Sequence, residues 1–213
     1  MKTDELVTML ANGNVAIAPH ALERRLLAGI SVGSIAAVIL MVTLLGVRPD
    51  LLAAAHQPMF WVKSLFAASL AVAALVTATR LSRPGVLLGR TPAAVVSPVL
   101  AMWALGALVL LAAAPDQRAN LLFGDTWNDC PLVIALLALP IFVGTSWAVA
   151  GLAPIRLRLA GAASGLLSGA MATLVYCLHC PEMAAPFVAV WYVLGMALPT
   201  VLGALLGPRL LRW

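Results

Sequence analysis

Apolar residues run in six long blocks, at about 26–47, 59–79, 95–114, 131–152, 159–180 and 187–207, separated by short connectors. Each block is close to the roughly 20 residues that a helix rising about 1.5 Å per residue needs to cross about 30 Å of hydrocarbon. The runs are continuous where a membrane β-barrel would alternate, which excludes that architecture. The pattern therefore predicts an all-α membrane protein, a six-transmembrane-helix bundle. The connectors carry turn chemistry at Arg48-Pro49-Asp50, Arg83-Pro84-Gly85, Ala114-Pro115-Asp116, Ala153-Pro154 and the stretch 181–186.

Ahead of the first block lies a polar segment, 1–25, so the chain divides into that segment and a transmembrane domain over 26–213. Thr3 can cap a short helix with Asp4 and Glu5 at its positive end, while Leu6, Met9 and Leu10 fall on one side of it. Asn12-Gly13-Asn14 breaks that helix. The segment can lie on the lipid surface or offer its apolar stripe to a groove on a partner protein, with Asp4, Glu5, Leu6, Met9 and Leu10 as the partner-binding residues. Because 1–25 is polar and the first apolar run is long enough to span, that run is expected to be a permanent anchor and not a cleaved signal.

Composition agrees with the pattern. Only 10% of residues are charged and the mean hydropathy is +1.04, against about 25% charged residues in a soluble domain. The net charge of +5 is not a nucleic-acid signature here, because basic residues beside membrane spans set orientation. Lys2, Arg24, Arg25, Arg80, Arg83, Arg90, Arg156, Arg158, Arg209 and Arg212 fall on one side, and Arg48, Lys63 and Arg118 on the other. The positive-inside rule then places both termini in the cytoplasm. Lys63 sits one turn inside the second block, where snorkelling beside Trp61 is the simplest expectation. Apart from it the spans lack charge, which argues against an ion-coupled transporter. The small residues Gly161, Ser164, Gly165, Ser168, Gly169 and Ala172 form a smooth stripe for close helix contact.

Orientation puts Cys130, before the fourth span, and Cys180, after the fifth, on the outward side with Asp125, Asp129, His179 and Glu182. Cys177 and Cys180 form a C-x-x-C, but at the C-terminal end of a helix, where the dipole disfavours a thiolate. Cys177 lies a turn deeper and reads as a packed, inert thiol. Pro131 fits the first turn of the fourth span and puts the Cys130 sulfur at that helix's positive end, although Asp129 opposes ionisation. A Cys130 to Cys180 disulfide, a redox switch, or metal capture by Cys130, Cys180 and His179 with Glu182 or Asp129 are all open readings. A thiolate and imidazole set suits zinc, cadmium or copper(I).

Met1-Lys2-Thr3-Asp4, Arg48-Pro49-Asp50-Leu51, Phe60-Trp61-Val62-Lys63, Cys130-Pro131, Leu178-His179-Cys180-Pro181-Glu182, Trp191-Tyr192 and the closing Gly207-Pro208-Arg209-Leu210-Leu211-Arg212-Trp213 resemble the NrsF family over nearly the whole chain. The resemblance implies a multi-pass anti-sigma factor of the bacterial inner membrane whose N-terminal segment holds an ECF sigma factor in the cytoplasm. It implies release when a periplasmic stress such as heavy metal reaches a cysteine pair that matches Cys130 and Cys180, with Cys177 outside the pattern. No catalysis and no resident cofactor are implied, only a transient heavy-metal ion at the cysteines. Direct nucleic-acid binding is not expected. A membrane thiol oxidoreductase and a small-solute or metal transporter are the alternatives, separable by thiol oxidation with quinone and by solute uptake into vesicles.

Overall fold

The computed structural model describes residues 5, 21–83, 86–152 and 154–212. Among them the chain forms α1 (Ala21–Leu44), α2 (Leu51–Ala55), α3 (Pro58–Leu81), α4 (Thr91–Ala112), α5 (Pro115–Phe123), α6 (Cys130–Ala150), α7 (Leu157–Tyr176) and α8 (Ala185–Leu210), with no strand. Six of these, α1, α3, α4, α6, α7 and α8, are long and apolar enough to cross a membrane. They coincide with the six predicted blocks.

Prolines and glycines set the boundaries. Pro58, Pro92, Pro115, Pro131 and Pro186 each occupy a helical first turn, where a missing N–H costs nothing. The turn expected at Ala114-Pro115-Asp116 is instead the start of α5, because proline at the first helical position and an acid in the first turn are also helix-starting signals. Gly46, at φ +75°, ends α1 by returning its N–H to the Met41 carbonyl at 3.0 Å. In α8 the backbone widens into one π turn, Val188–Tyr192, before resuming as Val193–Leu210.

The small-residue stripe makes α7 the hub. Its most apolar stretch is 72% buried inside the bundle, against 11% for α4, and α7 packs against α8, α3, α6 and α1. Gly161 faces the Gly203 carbonyl of α8, Gly165 faces Pro199 and Gly169 faces Met196, so the two backbones meet with no room for a Cβ. A second close crossing joins Gly29 of α1 to Gly144 of α6. Van der Waals packing of this kind is the main source of helix association in lipid, where apolar surface gains nothing by leaving hydrocarbon.

Alternating helix direction sorts the charges. The starts of α1, α4 and α7 and the ends of α3, α6 and α8 share one end of the bundle with Arg24, Arg25, Arg80, Arg83, Arg90, Arg156, Arg158, Arg209 and Arg212. There Arg25 donates to the Trp147 carbonyl at 3.1 Å and lies 4.4 Å from the centre of its ring. The opposite end holds Asp50, Asp116, Asp125, Asp129 and Glu182 together with all three cysteines.

Candidate functional site: a clamped helix end among three thiols

Helix α7 stops at Tyr176, and the chain continues as a tight turn in which Cys177 donates to Thr173 at 2.9 Å and both His179 and Cys180 donate to the Tyr176 carbonyl at 2.9 Å. Pro181 prevents continuation. A helix end leaves carbonyls without partners and carries partial negative charge, and inside a bundle that is costly unless donors are supplied. The connector 45–50 and α3 supply them. Lys63 Nζ donates to the Cys180 carbonyl at 3.0 Å and the Glu182 carbonyl at 3.1 Å. Arg48 Nη1 donates to the same Cys180 carbonyl at 3.2 Å, and the Arg48 N–H donates to Leu178 at 3.2 Å.

The expectation that Lys63 snorkels is therefore wrong: its side chain is 0% exposed, while its neighbour Trp61 faces outward and donates to the Ala55 carbonyl. Lys63 is on the side of α3 that packs against the bundle, so the nearest acceptors are the carbonyls at the end of α7 and not the headgroup layer. Arg48 is held from behind by Asp50 through a two-pronged contact at 2.8 and 2.7 Å. That hydrogen bond holds the Asp50 carboxyl below its ordinary range and raises the Arg48 guanidinium above its own.

Cys130, Cys177 and Cys180 are unpaired thiols, buried together with Tyr176, Phe187 and Tyr192 in one cluster. Cys130 opens α6 and donates its N–H to Thr126 at 2.9 Å. Although Cys130 and Cys180 lie at the end expected of them, both are 0% exposed, so neither sulfur meets the surface. Cys177 belongs to the same cluster, and the sequence signal for this was its spacing: residues three apart on a helical turn share a face. The π turn carries Tyr192 into the cluster, where its ring lies 5.9 Å from that of Tyr176 and 6.4 Å from that of Phe187. Its hydroxyl is buried beside the Cys177 and Cys180 thiols, which are its polar neighbours.

The remaining candidate ligands are engaged elsewhere. His179 Nδ1 donates to the Gly46 carbonyl at 2.9 Å. Glu182 Oε1 accepts the Asp125 N–H at 2.9 Å, with its carboxylate resting on Gly124. Asp129 is exposed. Among the described residues no group of three or more His, Cys, Asp or Glu is arranged to hold a metal ion, so His179, Glu182 and Asp129 do not converge on the thiols in this conformation. Beside the cluster, Trp191 packs against its buried residues and donates Nε1 to the Leu122 carbonyl at 2.8 Å, and its ring meets those of Phe123 and Trp127. Of the partner-binding candidates, Glu5 is exposed, and Asp4, Leu6, Met9 and Leu10 lie outside the described residues.

Six membrane-length helices, with reactive side chains confined to one end and sealed from solvent, define a polytopic helical protein built around a buried thiol cluster. A family model described as NrsF, negative regulator of sigma F, matches residues 10–213. The chain is 52% identical to the probable anti-sigma-F factor NrsF of Azospira oryzae and 38% identical to the anti-sigma-F factor NrsF of Caulobacter vibrioides, in each case over the full length of both chains. It belongs to the NrsF family of negative regulators of sigma F. No solved structure matches it.

Proposed function

We propose that this protein is a multi-pass anti-sigma factor of the bacterial inner membrane and a regulator without catalytic activity. It holds a sigma factor of the ECF class through the cytoplasmic segment 1–25 and releases it when heavy metal or an oxidant acts on Cys130 and Cys180 at the periplasmic end. The observation that carries the reading is the full-length match to anti-sigma-F factors, joined to a thiol cluster at one end of the hub helix α7. The other end of α7 lies among the arginines that the positive-inside rule assigns to the cytoplasm.

Two chemistries fit the sulfurs. Joining Cys130 and Cys180 in a disulfide gives up two protons and two electrons, which an oxidant such as chromate accepts. A soft cation such as cadmium binds the two sulfurs as thiolates and releases their protons. In either case the cluster must open, because the thiols are sealed, and the turn 177–180 must move against the carbonyl contacts of Lys63 and Arg48. A difference of about 1 to 3 kcal/mol between two packings of α7 alters affinity at a distant site by about 5- to 150-fold. Helix α1 packs against both α6 and α7 and follows directly from the segment 1–25, so it is the element that carries the change across.

A sigma-dependent reporter measured with and without cadmium or chromate tests the reading. Cys130→Ser, Cys180→Ser and the double variant should all stay repressed and unresponsive to the same degree, while a pull-down with Leu6→Asp and Leu10→Asp together should lose the sigma factor. Full induction in the double cysteine variant would remove the pair from the mechanism.

A further inference from the structure

The basic end carries a feature that the proposed sigma contact at 1–25 does not use. Where α4 begins, it stands away from α7, and residues of α3, α4, α7 and α8 enclose an open cavity of about 280 Å³ bordered by Ala74, Leu81, Val95, Ala162 and Leu166. Three threonines also border it, yet none offers it a hydroxyl. Thr77 donates to Ala73 at 2.7 Å, Thr91 to Leu88 at 2.8 Å and Thr200 to Met196 at 2.7 Å. The cavity therefore suits a hydrocarbon chain and cannot satisfy a polar solute.

At Leu81 the cavity meets a second recess of about 240 Å³ formed by Arg80, Arg83 and Arg156 with Val86, Leu87 and Ile155. Among the described residues no carboxylate lines this recess, and Glu23 borders an adjoining one together with Arg80 and Arg83. Arg80 is fixed by its Nη1 bond to the Leu88 carbonyl at 2.8 Å. A hydrocarbon slot opening beside three guanidiniums matches one class of molecule, in which an apolar chain ends in an anionic phosphate. We infer that this is a binding site for one anionic phospholipid, with an acyl chain between α4 and α7 and the phosphodiester against Arg80, Arg83 and Arg156. Neither half suffices by itself, since a free anion has only the arginines to hold it and a neutral lipid only the slot.

The test uses the full chain purified in a neutral detergent and offered phosphatidylglycerol, phosphatidylcholine or soluble glycerol phosphate, with retained lipid counted by native mass spectrometry. One phosphatidylglycerol should be retained about tenfold more strongly than phosphatidylcholine, and glycerol phosphate should not be retained. Replacing Arg80, Arg83 and Arg156 together with Gln, which alters only the interfacial end, should erase the preference while leaving helicity unchanged. Ala162→Phe should abolish retention by filling the slot. Equal retention of the two lipids by the unmodified chain, an unchanged preference in the arginine variant, or glycerol phosphate binding as tightly as the lipid would each overturn the site. Displacement by an acidic peptide that phosphatidylglycerol cannot reverse would overturn it too, by making the recess a protein contact. A reporter strain carrying the arginine variant keeps the outcome separate from the anti-sigma reading, because loss of the lipid with repression intact refutes neither.

Discussion

Lys63→Met should weaken the fold by removing donors from two carbonyls, and the effect should depend on Arg48, which shares one of them. Lys63 Nζ makes two hydrogen bonds, to Cys180 and Glu182, and a bond with a charged donor contributes about 1.5 to 3 kcal/mol in water-soluble proteins. Interhelical hydrogen bonds inside membrane proteins average nearer to about 0.6 kcal/mol. After the substitution the Cys180 carbonyl still receives Arg48 Nη1, and the Glu182 carbonyl, on a half-exposed residue, can turn to water. The expected loss is therefore about 1 to 2 kcal/mol. Arg48→Met should cost about as much or less, because Lys63 keeps the same carbonyl satisfied. Making both changes leaves the Cys180 carbonyl buried with no donor at all. The double variant should then exceed the sum of the singles by about 1 to 2 kcal/mol, the cost of an orphaned buried acceptor. Unfolding in detergent mixtures, followed by tryptophan fluorescence, measures the cycle. Additivity within about 0.5 kcal/mol would show that the two cations do not share the carbonyl, and the clamp would have to be abandoned.

Glycine substitutions separate close packing from backbone strain: Gly161→Leu drives a side chain into the Gly203 carbonyl and should cost about 1 to 3 kcal/mol or more, whereas Gly46→Ala meets open space but keeps φ at +75° and should cost about 1 kcal/mol. A reversed order in the same unfolding assay would contradict the crossing of α7 with α8. The Arg48 to Asp50 pair predicts a pH dependence. Asp50 has its folded pKa depressed by Arg48, so the pair's contribution is complete above the unfolded carboxyl value near about 3.9 and disappears as pH falls through the lower folded value. The stability advantage of the unmodified chain over Asp50→Asn should thus be constant at neutral pH and shrink only below about pH 4; an advantage that grew on acidification would invert the assignment.

The spans were legible because hydrocarbon thickness imposes one length on every crossing helix, and each predicted block falls on a helix in the structure. Boundaries were less legible where apolar sequence continues past the helix. The fifth block runs through Cys180 with only His179 to interrupt its end, but α7 closes at Tyr176 and turns, and hydropathy alone cannot separate a last helical turn from a buried reverse turn. Lys63 was misjudged for a related reason. A window scale prices a lysine against lipid, yet its partners are carbonyls from residues 180 and 182, more than a hundred positions away. The ligand types around the cysteines had the right chemistry for a soft metal. His179 and Glu182 are nevertheless taken by Gly46 and Asp125, and the register of those two loops is not written in any local pattern. The stripe from Gly161 to Gly169 was read correctly as packing, whereas the four-residue pair Gly29 and Gly33 of α1, which meets Gly144 and Ile141 of α6, was missed, because nothing in the local pattern of α1 points to its partner on α6.

The same residue that carries one proposed sensor sulfur also carries the carbonyl that Lys63 and Arg48 hold. Where a new bond at the Cys180 sulfur exceeds what a χ1 rotation can reach, the backbone has to turn, and that shifts the carbonyl relative to two donors on different elements. To that extent the thiol chemistry and the clamp are linked. Tyr192 lies against the same sulfurs, with its hydroxyl buried beside the Cys177 and Cys180 thiols. If the proposed sensing holds, a reaction confined to two sulfur atoms needs to shift the balance between two packings of α7 by only about 1 to 3 kcal/mol to change affinity at a distant site about 5- to 150-fold.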